Sequence, residues 1–184
     1  MRRILLIGPG GAGKSTLARQ LAERLALPLV HLDALYWQPG WVKTPSEIWQ
    51  ARVAQLLRTD AWVMDGNYGG TLTQRLAACD TAILLDLPPW LCLWRALCRF
   101  ARHRGRSRPD MTEGCPEKFD TAFAWWILSY RRLRLPGVLA MLEAAAAARG
   151  VRVEVLRSSA QVERFLAAPA VDARVAPAPG DVAG

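Results

Sequence analysis

Lysine is nearly absent from this chain: Lys14, Lys43 and Lys118 are the only lysines among 24 basic residues. Histidine is scarcer still, at His31 and His103. The four cysteines, Cys79, Cys92, Cys98 and Cys115, have no zinc-ligand spacing, which excludes a structural zinc module. They read as reduced thiols, mostly packed as small apolar side chains, with Cys115 in a polar segment and expected to be exposed. No repeat of fixed period is present. No apolar stretch reaches membrane-spanning length, since the best candidate, 82–97, contains Asp86, Pro88, Pro89 and Arg95. The first apolar run is only strand-long and leads straight into glycines, which is not an export signal. These absences predict a soluble, cytoplasmic protein with no membrane partner.

What is there begins with arginine. The net charge of +8 rests on it and points to an anionic partner, for which nucleotide and nucleic acid both qualify. The 184 residues suffice for one domain with a real core, and are too few for an ATPase domain plus a separate helical lid domain. The run Gly8, Pro9, Gly10, Gly11, Ala12, Gly13, Lys14, Ser15 fits G-x-x-x-x-G-K-[ST] at every fixed position. An apolar run, 3–7, precedes it, and Leu17, Leu21 and Leu25 recur at helical spacing after it. Strand, glycine loop and helix are the context this phosphate-binding motif requires. Glycines let several backbone N–H groups point at one anion, and the helix N-terminus adds positive partial charge. Gly8 to Ser15, with Thr16, are thus the expected nucleotide-binding residues. Lys14 is expected to reach the β- and γ-phosphates of ATP, and Ser15 to ligate Mg²⁺.

Further strands are predicted at 29–33, 61–65, 81–87 and 151–156, and helices at 46–58, 71–78, 88–102, 117–135, 138–149 and from Ser158 or Ser159 to about 166. Residues 34–45 read as an aromatic-rich loop, and Trp90, Trp94, Trp125 and Trp126 as core. Residues 167–184, rich in Ala, Pro, Val and Gly, read as a disordered tail. Strands alternating with helices imply an α/β fold, a parallel sheet with helices on both faces, whose ligands bind at the carboxyl ends of the strands. The glycine loop, Asp33, Asp65 and the 66–70 loop all fall at that edge.

Asp65 closes Trp62-Val63-Met64 as three apolar residues followed by a carboxylate, suited to organise Mg²⁺. Asp86 ends a similar run but precedes Pro88-Pro89, where it could cap the next helix; Gly66-Asn67 leaves more backbone room after Asp65, which is preferred. Asp33 could take or orient the proton of a hydroxyl acceptor. Arg95, Arg99, Arg102 and Arg106 share one helix face if the helix persists, and Arg104 and Arg108 extend the cluster. Flanked by Gly105 and Gly114, this segment reads as a lid whose arginines, Arg99, Arg104, Arg106 and Arg108, neutralise charge during phosphoryl transfer. Phosphates of DNA are the rival target.

Four stretches together resemble the DNA topology modulation proteins, the FlaR-like group of adenylate-kinase-like P-loop kinases: Gly8 to Ser15, Leu32-Asp33-Ala34-Leu35-Tyr36-Trp37, Trp62 to Tyr68, and 104–119. The resemblance spans about 2–166. It implies a P-loop NTPase fold with a five-stranded parallel sheet of order 2-3-1-4-5, one kinase-like domain over 1–166, an acceptor-binding region near 33–58, and a lid near 104–116. Segment 157–160, with Arg157, would border the adenine. The function it implies is Mg²⁺-dependent transfer of the ATP γ-phosphoryl group to a small hydroxyl- or phosphate-bearing acceptor of unspecified identity. The alternatives are a nucleotide-dependent DNA-binding regulator with slow ATPase activity and a non-catalytic nucleotide-binding module. Oligomeric state is not specified by any of these features.

Overall fold

The computed structural model describes residues 1–108 and 110–168; Pro109 and residues 169–184, which include nearly all of the expected tail, lie outside them. The chain opens with β1 (Arg3–Ile7), the glycine loop and α1 (Lys14–Leu25). Next come β2 (Leu29–His31), α2 (Leu32–Tyr36), the short strands β3 (Trp37–Gln38) and β4 (Val42–Lys43), and α3 (Ser46–Leu57). β5 (Trp62–Asp65), α4 (Gly69–Ala78), β6 (Thr81–Leu85) and α5 (Pro89–His103) follow, then α6 (Thr121–Leu133), α7 (Leu135–Arg149), β7 (Arg152–Leu156) and α8 (Ser159–Ala167).

The main sheet has five strands in the order β2-β5-β1-β6-β7, every pair parallel. Counted over main-sheet strands alone, this is the expected 2-3-1-4-5. Because alternate residues of a strand face opposite sides, a central strand covered on both sides must be apolar throughout. β1 meets that demand from Ile4 onward. Ile4 and Leu6 join Leu17 and Leu21 of α1, Cys92 of α5 and Phe165 of α8 on one side. Leu5 and Ile7 join Val53 of α3, Leu72 and Leu76 of α4 and Leu142 of α7 on the other. Helix α6 serves both layers, through Ile127 and Tyr130.

Several local expectations are corrected. The aromatic loop is ordered into α2 and an antiparallel pair, β3 with β4, that sets Trp37 opposite Lys43. Helix α5 ends at His103 and Gly105 follows at φ 74°, so Arg106 does not extend the helical face of Arg95 and Arg99. Helix α6 begins at Thr121 rather than 117, because Asp120 caps it, accepting from the Phe123 N–H at 2.6 Å. Cys115 is buried, its Sγ–H donating to the Gln38 carbonyl at 3.1 Å. Trp90, Trp94 and Trp125 are 68%, 62% and 67% exposed and are not core; of the four, only Trp126 packs inward. Helix α5 turns Arg95 and Arg99 to the cleft, and α6 turns Phe123, Trp126 and Tyr130 to it, leaving Trp90, Trp94 and Trp125 outside.

Among the described residues, one charged side chain is buried completely. Arg75 of α4 donates from Nη1 to the Gly66 carbonyl at 2.9 Å, from Nη2 to those of Asn67 and Tyr68 at 2.5 and 2.9 Å, and from Nε to Thr71 Oγ1 at 3.2 Å. Burial lowers its pKa to about 10, still far above neutrality. A guanidinium in this position satisfies three carbonyls of a turn that no ladder reaches. Arg75→Ala takes this partner from the Gly66 and Asn67 carbonyls, while that of Tyr68 keeps the Thr71 N–H at 3.0 Å, and it opens a cavity, so it is expected to destabilise the fold by roughly 3 kcal/mol. The exposed Arg58→Ala is expected to stay within about 0.5 kcal/mol. Urea unfolding midpoints of the two variants give the comparison; equal midpoints would remove the bracing role of Arg75.

Candidate functional site

The carboxyl ends of β1, β2 and β5 open into a cleft of about 1870 Å³. Residues 10–16 form one wall. Their loop is shaped by what lies behind it: a Cβ on Gly11, at φ 77°, would stand 2.0 Å from the Cys92 carbonyl oxygen of α5, and one on Gly8, at φ 147°, 2.5 Å from the Leu85 carbonyl oxygen of β6. Only glycine fits a backbone pressed so closely against another. Gly8 is also held from the opposite direction. Its N–H donates to Asn67 Oδ1 at 3.1 Å and its carbonyl accepts from Asn67 Nδ2 at 2.7 Å.

Lys14 curls inward, donating from Nζ to the carbonyls of Gly8 and Pro9 at 2.8 and 2.9 Å. Burial lowers its pKa, while the charges of Asp65 and Asp33 pull the other way. Ser15 Oγ donates to Asp65 Oδ2 at 2.7 Å. The parallel register sets His31 beside Asp65, and His31 Nδ1 lies 2.6 Å from Asp65 Oδ1. Burial opposes a charge on His31, but the hydrogen bond and charge of Asp65 prevail and its pKa is raised. Asp33, in the first turn of α2, lines the same cleft, and its Oδ1 accepts from the Tyr68 hydroxyl at 2.6 Å. Burial, then the Asp33 charge, raises the Tyr68 pKa, so the phenol stays a donor.

The segment expected as a lid lies over this cleft and is tied to the α2–β4 region. Thr112 Oγ1 lies 2.8 and 2.5 Å from the carbonyls of Ala34 and Trp37, which share its one hydroxyl proton, Gly40 N–H donates to the Gly114 carbonyl at 2.9 Å, and Trp41 Nε1 to the Pro116 carbonyl at 3.0 Å. Arg99 and Arg108 line the cleft and share the buried carboxylate of Glu117. Asp110 pairs with Arg108 at 2.9 Å. Burial raises its pKa, but Arg108 and Ser15 outweigh that and hold its carboxyl below the usual range.

The cleft thus brings together Gly10 to Thr16, Asp33, Asp65, Arg99 and Arg108, with Gly8 and Pro9 directly behind. Arg104 and Arg106 are exposed and outside its lining. Arg157 is also outside, 3.6 Å from Asp86. Asp86 is engaged by α6: Arg131 donates to both of its oxygens at 3.1 Å. Sequence reasoning gave no role to His31, Arg75, Asp110 or Glu117. For His31 a signal existed, its place at a strand end two residues before Asp33; for Glu117 no spacing marks it.

The chain shares its architecture with known kinases. Shikimate kinase from Acinetobacter baumannii, solved in complex with shikimate, superposes with a TM-score of 0.60 at 18% identity, over 91% of this chain and 89% of that one. Shikimate kinase from Bacteroides thetaiotaomicron gives 0.50 at 18% identity, over 90% and 94%. The fold is that of the P-loop kinases. Likeness at this identity carries the fold and nothing finer. No protein-family model and no curated protein matches the sequence. Among the described residues, no helix is long and apolar enough to cross a membrane.

The donor set suits magnesium. Ser15 and Asp65 offer hard oxygens, and Mg²⁺ takes one or two protein ligands and completes its shell with water and phosphate. The described residues hold no cluster of three acidic, histidine or cysteine ligands of the kind a protein-only metal site needs. Asp65→Asn is expected to lower Mg²⁺-dependent ATP turnover on the order of 10² or more, and Asp86→Asn no more than a few-fold. Steady-state rates over a Mg²⁺ titration decide this, and the reverse ranking would give the metal to Asp86.

Proposed function

We propose that this protein is a small-molecule kinase, transferring the γ-phosphoryl group of ATP to a hydroxyl- or phosphate-bearing acceptor. The observation that carries this is the convergence in one cleft of the glycine loop, the Ser15–Asp65 pair, Asp33 and two arginines. The backbone N–H groups at the start of α1 have no intrahelical partners and would receive the β- and γ-phosphates. Lys14 would exchange the carbonyls of Gly8 and Pro9 for phosphate oxygens. Ser15 and Asp65 would hold Mg²⁺, which when bound neutralises phosphate charge and fixes its geometry.

The acceptor would enter from the α2–β4 side. With Oδ1 occupied by Tyr68, Asp33 has Oδ2 to take the proton of an acceptor hydroxyl. The acceptor oxygen bonds to the γ-phosphorus as the bond to the bridging oxygen breaks, ADP leaves, and the proton stays on Asp33. Arg99 and Arg108 meet the charge that develops on the equatorial oxygens. The segment 104–116, acting as a lid, keeps water from competing with the acceptor.

A screen with radiolabelled ATP against nucleosides, nucleotides and small hydroxylated metabolites tests the function, with Lys14→Ala as control. The parent is expected to label at least one acceptor, and the Lys14→Ala variant to keep its fold and lose productive ATP binding. Equal ATP affinity in the two proteins by calorimetry would sink the phosphate-loop assignment. A DNA titration run alongside weighs the alternative. Tight DNA binding lost on Arg104→Ala and Arg106→Ala, with no acceptor labelled, would make the exposed arginines a nucleic-acid surface instead.

A further inference from the structure

We propose that Glu117 is a positioning residue for phosphoryl transfer, one buried carboxylate that grips Arg99 and Arg108 by their Nε atoms and so aims the outer edges of both guanidiniums into the cleft. Resting on the kinase function proposed above, this names the group that organises its cations. Arg99 Nε donates to Glu117 Oε1 at 3.0 Å, and Arg108 Nε forms an ion pair with Oε2 without hydrogen-bond alignment, so each carboxylate oxygen faces one arginine. The side chain of Glu117 is only 4% exposed and that of Arg108 10%, which is not the condition of a surface ion pair.

The geometry of the grip matters more than its charge. A guanidinium held through Nε keeps its Nη1/Nη2 edge, the fork that matches a phosphate. Arg99 meets Glu117 through Nε, not through that edge, and its guanidinium carbon lies 6.0 Å from the centroid of the Phe123 ring. Arg108 gives Nη1 to Asp110 at 2.9 Å and keeps Nη2. Two arginines crowded together would repel and splay apart; the shared carboxylate removes the repulsion and fixes their spacing. Glu117 can do this because its own backbone is anchored. Its N–H donates to the Arg106 carbonyl at 3.0 Å, and it bridges Arg104, where the two ends of the 104–117 segment meet. It therefore links a cation on helix α5 to one on the segment over the cleft, and orders both before any phosphate arrives.

The test is a double-mutant cycle. Glu117→Gln keeps the shape, loses the charge, and presents an amide donor to one of the two Nε–H groups. It is expected to lower kcat about 30-fold while the acceptor KM stays within about twofold. On an Arg108→Ala background the same change should cost less than about threefold, because the group to be positioned is gone. Glu117→Asp, which retains the charge with a shorter reach, should recover part of the rate and guards against loss of folding. A kcat within twofold of the parent, or full additivity with Arg108→Ala, overturns the proposal. Binding separates its failure from failure of the kinase function. By calorimetry, Glu117→Gln should weaken a non-hydrolysable ATP analogue about tenfold and leave AMP unchanged. An unchanged analogue affinity, or equal losses for both ligands, overturns the proposal even where no acceptor is found. A parent chain that binds no ATP analogue overturns the kinase function and this inference with it.

Discussion

One side-chain amide holds the site together. Asn67 pairs with both backbone groups of Gly8, N–H and carbonyl, as a neighbouring strand would. The turn that carries Asn67 is fixed in its own right by Arg75, which takes its three successive carbonyls. The loops that follow β1 and β5 are thereby made into one body. Without this tie the glycine loop, which has few side chains to pack, would face the full entropy of its glycines. With it, the anion site is built before the anion arrives, and Ser15 is kept within 2.7 Å of Asp65.

Charge is arranged around that body in balanced pairs. Lys14 is held by carbonyls, Asp65 by Ser15 and His31, Asp33 by Tyr68, and Arg99 and Arg108 by Glu117 and Asp110. Each buried ion has a partner, so the cleft can concentrate cations without unfolding around them. A polyphosphate entering such a site replaces these partners with stronger ones. The same arrangement explains why Asp86, similar to Asp65 in sequence, differs in use. Its strand end faces α6, and Arg131 engages it through both oxygens.

Much of the fold was legible in the sequence because the three central strands, β1, β5 and β6, are buried on both faces. Their unbroken apolar runs, separated by helical periodicity, admit few other arrangements, and the parallel order follows. The glycine loop, Asp33 and Asp65 were legible because each belongs to a local pattern with a local physical cause. What escaped detection is non-local. Trp90, Trp94 and Trp125 look like core by their type, yet they are exposed: Arg95 and Arg99 line the cleft from α5, and Phe123, Trp126 and Tyr130 line it from α6. The helical spacing of the arginines misled in the opposite way: it carried Arg106 onto a face that ends with α5 at His103. Glu117, Asp110 and Arg75 act through partners distant in the chain or through bare carbonyls, and no spacing records such contacts. The hairpin of β3 and β4 is two residues a side, too short for its periodicity to register.

The central claim is that the phosphate site is preformed and that Asn67 preforms it. Asn67→Leu preserves the size of the side chain and removes both of its hydrogen bonds to Gly8. Calorimetric titration of the variant with an ATP analogue tests the claim directly. The expected result is an affinity at least about tenfold weaker, with a less favourable entropy of binding, because the loop must now be ordered by the ligand. An affinity equal to that of the parent would contradict it, and would mean that the glycine loop holds its shape unaided.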